Sequence, residues 1–288
     1  MKGDLYFKVN GKNHTTLYEP ELFVFSGGEV SVKLPERSYP HYAETITIYA
    51  RLMDSDMVMC LVNLVDALRT RFGDCTMNLF MGYIPYARQD RVCNKGESLA
   101  IKNFTNIINS LNFSKVYVAD PHSDVAPALI DNVRIKPVEQ ILAANFELSI
   151  RLRQESNLVL VSPDYGATKK VQKVSKYFGG IPVVQGTKER DLATGALTGF
   201  DLYGDVNGKH CFIVDDIGDG MGTFLGLAKI LKERGATGIS IYVSHGIFSK
   251  GMKILDGIFD TVYTTNSFKR VEGFDEGFTG NLEVFSWV

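Results

Sequence analysis

The stretch from Cys211 to Thr223, CFIVDDIGDGMGT, constrains the fold more than any other part of this chain. Phe212–Val214 reads as a short apolar strand that ends at two adjacent carboxylates, Asp215 and Asp216. Glycines follow at positions 218, 220 and 222, and TFLGLAKILKERG then reads as a helix. A strand that turns through a glycine loop into a helix is a building block of α/β folds. The glycines let backbone N–H groups close around an anion, and a helix N-terminus favours negative charge. Beside such a loop, two carboxylates can accept hydrogen bonds from sugar hydroxyls. The combination suits a phosphorylated sugar.

The rest of the chain repeats this rhythm. Strand-like runs cover Thr45–Tyr49, Met77–Met81, Lys115–Ala119, Leu158–Val161, Ile181–Val184, Ile239–Val243 and Thr261–Tyr263. Between them, Asp56–Phe72 carries Met57, Leu61, Leu64, Val65 and Leu68 at helical spacing. Leu99–Leu111 and Ala167–Phe178 also read as helices, the second closed by Gly179 and Gly180. The alternation predicts an α/β protein with mainly parallel sheets flanked by helices. A division near residue 145, ahead of the polar RLRQES segment, predicts domains 1–145 and 146–288.

Composition bounds the function classes. The 288 residues are 45% hydrophobic, enough for one large or two medium domains. The net charge of −2 gives no global field to recruit nucleic acid or an acidic membrane. The apolar runs are strand-sized, so no transmembrane helix is expected, and MKGDLYFKVNGK lacks the apolar centre of a signal peptide. Four cysteines without metal-like spacing read as free thiols of a cytoplasmic protein.

In open parallel sheets, ligands bind beyond the carboxyl ends of strands. Four such places stand out. After Met81 comes GYIPYARQDR, where Arg88 and Arg91 flank Gln89 and Asp90. Arginine suits polyphosphate and Gln89 can read a base edge, the alternative being a solvated loop with an Arg–Asp pair. After Ala119 comes DPHSD, whose His122 can bind a metal or polarise a phosphate oxygen, or be structural. After Val161 comes SPDYGATKK, where Asp164 is either a hard oxygen ligand for Mg²⁺ or a helix cap. The fourth is the acidic-pair loop. The polar segment QGTKERDLATGALTG reads as a lid or a β-hairpin flap, with Lys188 and Arg190 placed to meet developing phosphate charge or to be solvated. His245 in SHGIFSKG reads as a structural histidine in a strand-end loop.

Taken together, these motifs resemble those of the ribose-phosphate pyrophosphokinases, in the family's order, from about Phe23 to about Gly251. PYARQDR matches the family's ATP-contact motif almost letter for letter. FSGGE resembles its adenine loop, DPHSD its histidine metal segment, SPDYGATKK its Pro–Asp–x–Gly–Gly element, and VDDIGDGMGT its ribose 5-phosphate loop. The resemblance implies two domains of type I phosphoribosyltransferase-like architecture. It also implies transfer of the diphosphoryl group of ATP to the 1-hydroxyl of ribose 5-phosphate. ATP would meet Phe25, Glu29, Arg88, Gln89, Asp90 and Arg91. Ribose 5-phosphate would meet Asp215, Asp216, Asp219, Gly220, Met221, Gly222 and Thr223. His122 and Asp164 would serve Mg²⁺, and Lys188 and Arg190 the transition state. The family implies a homo-oligomer, a hexamer built on dimers.

This chain departs from the family pattern at Gly27, where an aspartate is expected, and at Gly220, where a threonine is expected. Tyr165 and Ala167 alter the Asp–x–Gly–Gly element. The rival readings are a type I phosphoribosyltransferase, which has no use for PYARQDR, and a non-catalytic regulatory relative. The retained Lys188, Arg190, His122 and Asp164 argue against the second.

Overall fold

The computed structural model describes residues 3–11, 15–37, 39–40, 42–190, 197–274 and 277–288, with 188–190 and 197–200 described by their backbone alone. The chain divides into two compact units, Met1–Lys136 and Pro137–Val288. The helices on either side of residue 145 both lie in the second unit.

The first unit runs β1 (Leu5–Asn10), β2 (Thr15–Tyr18), β3 (Glu21–Val24), β4 (Val30–Lys33), β5 (Thr45–Ala50), α1 (Ser55–Phe72), β6 (Thr76–Phe80), α2 (Ala100–Ser110), β7 (Lys115–Ala119), α3 (Val125–Leu129) and β8 (Val133–Lys136). Six strands form one sheet in the order β2-β1-β5-β6-β7-β8. Strands β5 to β8 are parallel, and β1 is antiparallel to both of its neighbours. Strands β3 and β4 form a separate hairpin.

Helix α1 forms where the apolar spacing places it. The Asp54 side chain accepts from the Met57 N–H at 2.8 Å and caps the first turn. Arg69 and Arg71 sit in the last turn, where the helix dipole favours cations, and Gly73 closes the helix at φ +67°. Met57, Leu61, Leu64, Val65 and Leu68 are all buried in the core beneath the sheet, together with Ile46, Ile48, Leu79 and Val116. Each such aliphatic side chain contributes about 1.5–3 kcal/mol by leaving water.

The second unit runs α4 (Val138–Ala144), α5 (Phe146–Gln154), β9 (Leu158–Ser162), α6 (Tyr165–Tyr177), β10 (Val183–Arg190), β11 (Leu197–Tyr203), β12 (His210–Gly218), α7 (Gly222–Glu233), β13 (Gly238–Gly246), β14 (Thr261–Thr265) and β15 (Asn281–Phe285). Its sheet has the order β11-β10-β9-β12-β13-β14-β15 and is parallel except for β11. The α/β architecture with mainly parallel sheets is therefore as the alternation predicts.

Three local expectations are corrected. Strand β12 does not end before the acidic pair but runs through it to Gly218, because Asp215 pairs with Val243 and Ile217 with His245 on β13. His245 accordingly lies inside β13, 2% exposed, with Nδ1 2.7 Å from Ser267 Oγ, and not in a strand-end loop. The polar RLRQES segment belongs largely to α5. Its Arg151 packs inward, bonding Glu155 at 2.8 Å and the Tyr263 hydroxyl at 3.0 Å. Among the described residues no helix is long and apolar enough to cross a membrane.

Candidate active site

Most of the sequence motifs of each unit lie at the carboxyl ends of its parallel strands. In the first unit, PYARQDR follows β6 and DPHSD follows β7. The turn after β6 is tight: Tyr86 takes φ +62°, and the Gln89 N–H donates to Tyr86 O at 2.9 Å. The Tyr86 hydroxyl lies 2.9 Å from Ser55 Oγ at the start of α1, which anchors the turn. Arg88, Gln89 and Arg91 are exposed, whereas Asp90 is buried and bonds Arg91 Nε through Oδ1 at 2.9 Å. That guanidinium holds the Asp90 carboxyl below the usual range, and a hydrogen bond from Ser123 and the nearby His122 act in the same direction. Loops 88–91 and 120–124 thus meet at Asp90, with His122 on the exposed side. Asp120 is buried at φ +33°, its N–H bonded to Lys136 O at 3.0 Å.

Phe25 and Glu29 lie in the β3–β4 turn. The Phe25 N–H donates to Glu29 O at 2.9 Å, and Gly28 at φ +91° donates to Phe25 O at 2.8 Å. Phe25 is 54% exposed and meets Phe23 edge to face. The hairpin rests on α1 through Asn63, whose Nδ2 donates to Val30 O at 3.1 Å.

In the second unit, Asp164 stands one residue beyond Pro163 at the end of β9. Its side chain caps α6 by accepting the Ala167 N–H at 3.1 Å. One carboxylate oxygen is therefore engaged as a helix cap. Gln185 on β10 is bonded to the Thr168 hydroxyl of α6. Strands β10 and β11 pair antiparallel from Gln185↔Tyr203 to Arg190↔Leu197, so the polar segment is a hairpin at its base. Lys188 and Arg190 lie on its rising strand, but their side chains and residues 191–196 fall outside the described residues.

The acidic pair has a partner that the motif reading left unassigned. Lys170 on α6 reaches Asp216, Nζ 3.5 Å from Oδ1, with the two side chains 17% and 9% exposed. Burial and the neighbouring Asp216 push the Asp215 carboxyl well above its usual range, and Lys170 opposes that shift. The Asp216 N–H donates to Asp215 Oδ1 at 2.9 Å.

The loop beyond is built for close approach of an anion to backbone. A methyl group on Gly218 would stand 2.9 Å from Val243 Cγ2 and 3.1 Å from Met221 Sδ, so no side chain fits there. Met221 adopts φ +57° and ψ −1°, a left-handed kink that opens α7 without a side-chain cap. Free first-turn N–H groups at such a terminus suit phosphate. Asp219, Gly220 and Thr223 are half-buried around this turn and Gly222 is exposed. The Gly218 carbonyl accepts from Ile247 and Phe248 at 2.8 and 2.9 Å, tying the loop to the end of β13.

Residues 157–271 match the family described as "Phosphoribosyl synthetase-associated domain". The ribose-phosphate pyrophosphokinase of Ralstonia nicotianae is 30% identical over 247 residues, 84% of this chain and 76% of that protein. This chain belongs to the ribose-phosphate pyrophosphokinase family. The ribose-phosphate pyrophosphokinase of Mycoplasmopsis pulmonis is 29% identical over 273 residues, 93% of this chain and 80% of its own length. The crystal structure of phosphoribosylpyrophosphate synthetase from Mycobacterium smegmatis superposes with a TM-score of 0.75 at 22% identity, covering 94% of this chain and 87% of that one. The fold is therefore that of the pyrophosphokinase family in both units.

Proposed function

We propose that this chain transfers the β,γ-diphosphoryl group of ATP to ribose 5-phosphate, giving phosphoribosyl pyrophosphate and AMP. The observation that carries the reading is a pyrophosphokinase relative aligned over 93% of the chain, with the polyphosphate and sugar-phosphate motifs at strand carboxyl ends of the two units. Arg88, Gln89 and Arg91 take the nucleotide, with Asp90 fixing Arg91 from below, and Phe25 and Glu29 take the adenine. The turn from Asp219 to Thr223 holds the 5-phosphate with backbone N–H groups. Asp215 and Asp216 receive the ribose hydroxyls.

The 1-hydroxyl oxygen attacks the β-phosphorus in line, the bond to the α,β-bridging oxygen breaks, and AMP departs. Lys188 and Arg190 stabilise charge on the transferring group. Little covalent work falls to the protein, so positioning and charge dominate.

Among the described residues no three His, Cys, Asp or Glu side chains cluster as a ready-made metal site, but Mg²⁺ does not require one. That ion keeps most of its waters and needs one or two protein carboxylates besides substrate phosphates. We assign His122 in the first unit and Asp164 in the second each as a ligand for a Mg²⁺ ion of its own unit. Bound at either place, Mg²⁺ would supply Lewis-acid charge to the phosphate oxygens. The chain acts as a homo-oligomer in a reducing compartment.

The test is incubation of the protein with ATP, ribose 5-phosphate and Mg²⁺, with both products measured. AMP and phosphoribosyl pyrophosphate in equal amounts are expected. AMP without the sugar product, or no AMP at all, refutes the reading. Pyrophosphate release from phosphoribosyl pyrophosphate on addition of a base would indicate a phosphoribosyltransferase instead.

A further inference from the structure

The turn that docks against the phosphate loop carries a cation with no partner among the described residues. Ile247 and Phe248 both donate to Gly218 O, and the Phe248 ring is buried beside Gly218 and Phe274. Phe248 at φ +46° and Gly251 at φ +74° then reverse the chain, and the Gly251 N–H closes the turn on Phe248 O at 2.9 Å. Lys250 is exposed in that turn, as are Ser249 and Gly251. Its stem lies over Gly220: a methyl carbon on Gly220 would stand 3.6 Å from Lys250 Cε and 4.0 Å from its Cδ. Among the described residues Lys250 makes no hydrogen bond or ion pair. Gly220 contributes backbone alone to the loop, and the lysine stem lies in van der Waals range of where a side chain would begin.

We propose that Lys250 is a binding residue for the sugar's 5-phosphate, a flexible cation that closes over the Gly220 side of the loop. The inference rests on the reading of this loop as the ribose 5-phosphate site. A phosphate seated at the α7 N-terminus carries two negative charges and leaves oxygens facing away from the helix. An ammonium on a four-carbon stem reaches such oxygens as a point charge, without the fixed fork of an arginine. The turn is pinned to the loop through Gly218 O, so the lysine enters with its base already placed.

Calorimetric titration with ribose 5-phosphate, with unphosphorylated ribose as control, tests this on wild type, Lys250→Met and Lys250→Arg. The methionine variant keeps the stem and loses the charge. It is expected to bind ribose 5-phosphate about tenfold more weakly and with a shallower salt dependence. The arginine variant should recover most of the affinity. In steady-state assays KM for ribose 5-phosphate rises in the methionine variant, while kcat and the KM for ATP stay within about twofold. Unchanged sugar-phosphate affinity in Lys250→Met overturns the proposal. Lys250-dependent binding in a protein that forms no AMP would refute the proposed reaction and leave the lysine's role standing. A wild-type chain that binds no ribose 5-phosphate overturns both.

Discussion

Removing the Lys170 ammonium should weaken the second unit in a way that depends on pH. Lys170 Nζ lies 3.5 Å from Asp216 Oδ1 with both side chains mostly buried. At that separation, an effective dielectric constant of ~20 gives an attraction of about 5 kcal/mol. Desolvation of both ions offsets much of it, but removing one partner leaves the other charge uncompensated, at a cost of about 3–5 kcal/mol. Lys170→Met preserves the stem and should therefore destabilise by about 3 kcal/mol near pH 8.

The pH dependence follows from Asp215. Its folded pKa is raised by burial and by Asp216, and lowered by Lys170. The unfolded aspartate ionises near pH 4, so between that value and the raised folded value the native state binds more protons. Stability falls with rising pH across that window, and loss of Lys170 widens the window upward. Urea unfolding of wild type and Lys170→Met at pH 5 and pH 8 checks this. The deficit of the variant should be smaller at pH 5 by about 1 kcal/mol or more. A deficit below about 1 kcal/mol at pH 8, or one independent of pH, refutes the assignment of Lys170 as the counter-ion of the acidic pair.

Lys188→Ala should lower kcat by about 10²–10³ with little change in the KM for ATP, since a cation used chiefly in the transition state is lost; full activity would remove Lys188 from the mechanism. Gly218→Ala forces a methyl to within 2.9 Å of Val243 Cγ2 and should cost about 1–3 kcal/mol, read as a lowered urea midpoint, with weaker binding of ribose 5-phosphate. Asp164→Asn keeps a good N-cap for α6 and should leave the thermal midpoint nearly unchanged. The same variant should raise the Mg²⁺ concentration needed for half-maximal activity, and an unchanged requirement would leave Asp164 with its capping role alone.

Much of the frame was legible in the chain itself. The stripe from Met57 to Leu68 spells out α1 within one local segment, and α1 forms there with Asp54 and Gly73 as its caps. The alternation of apolar runs and helical spacing specified α/β units because both signals are local, with periods of two and 3.6 residues. The order of the motifs was likewise enough to indicate the family.

Other features came from pairing between distant segments. Asp215 and Asp216 read as the point where the strand stops because strands are recognised by apolar residues. Only the register with Val243 and His245 keeps β12 extended through them. The edge strands β2, β8 and β15 are short or mixed in polarity and form against neighbours that supply the backbone hydrogen bonds. Asp90 stood among the ATP residues as one more polar side chain, and its burial beneath Arg91 is a tertiary fact. Lys170 and Lys250 were both inside quoted motifs and carried no distinguishing local signal. Their significance comes from what they touch: Asp216, 46 positions on in the numbering, and Gly220, 30 positions back. Sequence alone determined the central strands and the striped helices, their order and the chemistry on offer, because these depend on neighbours along the chain. Which charge compensates the acidic pair, and which cation stands over the phosphate loop, was decided by packing across the sheet.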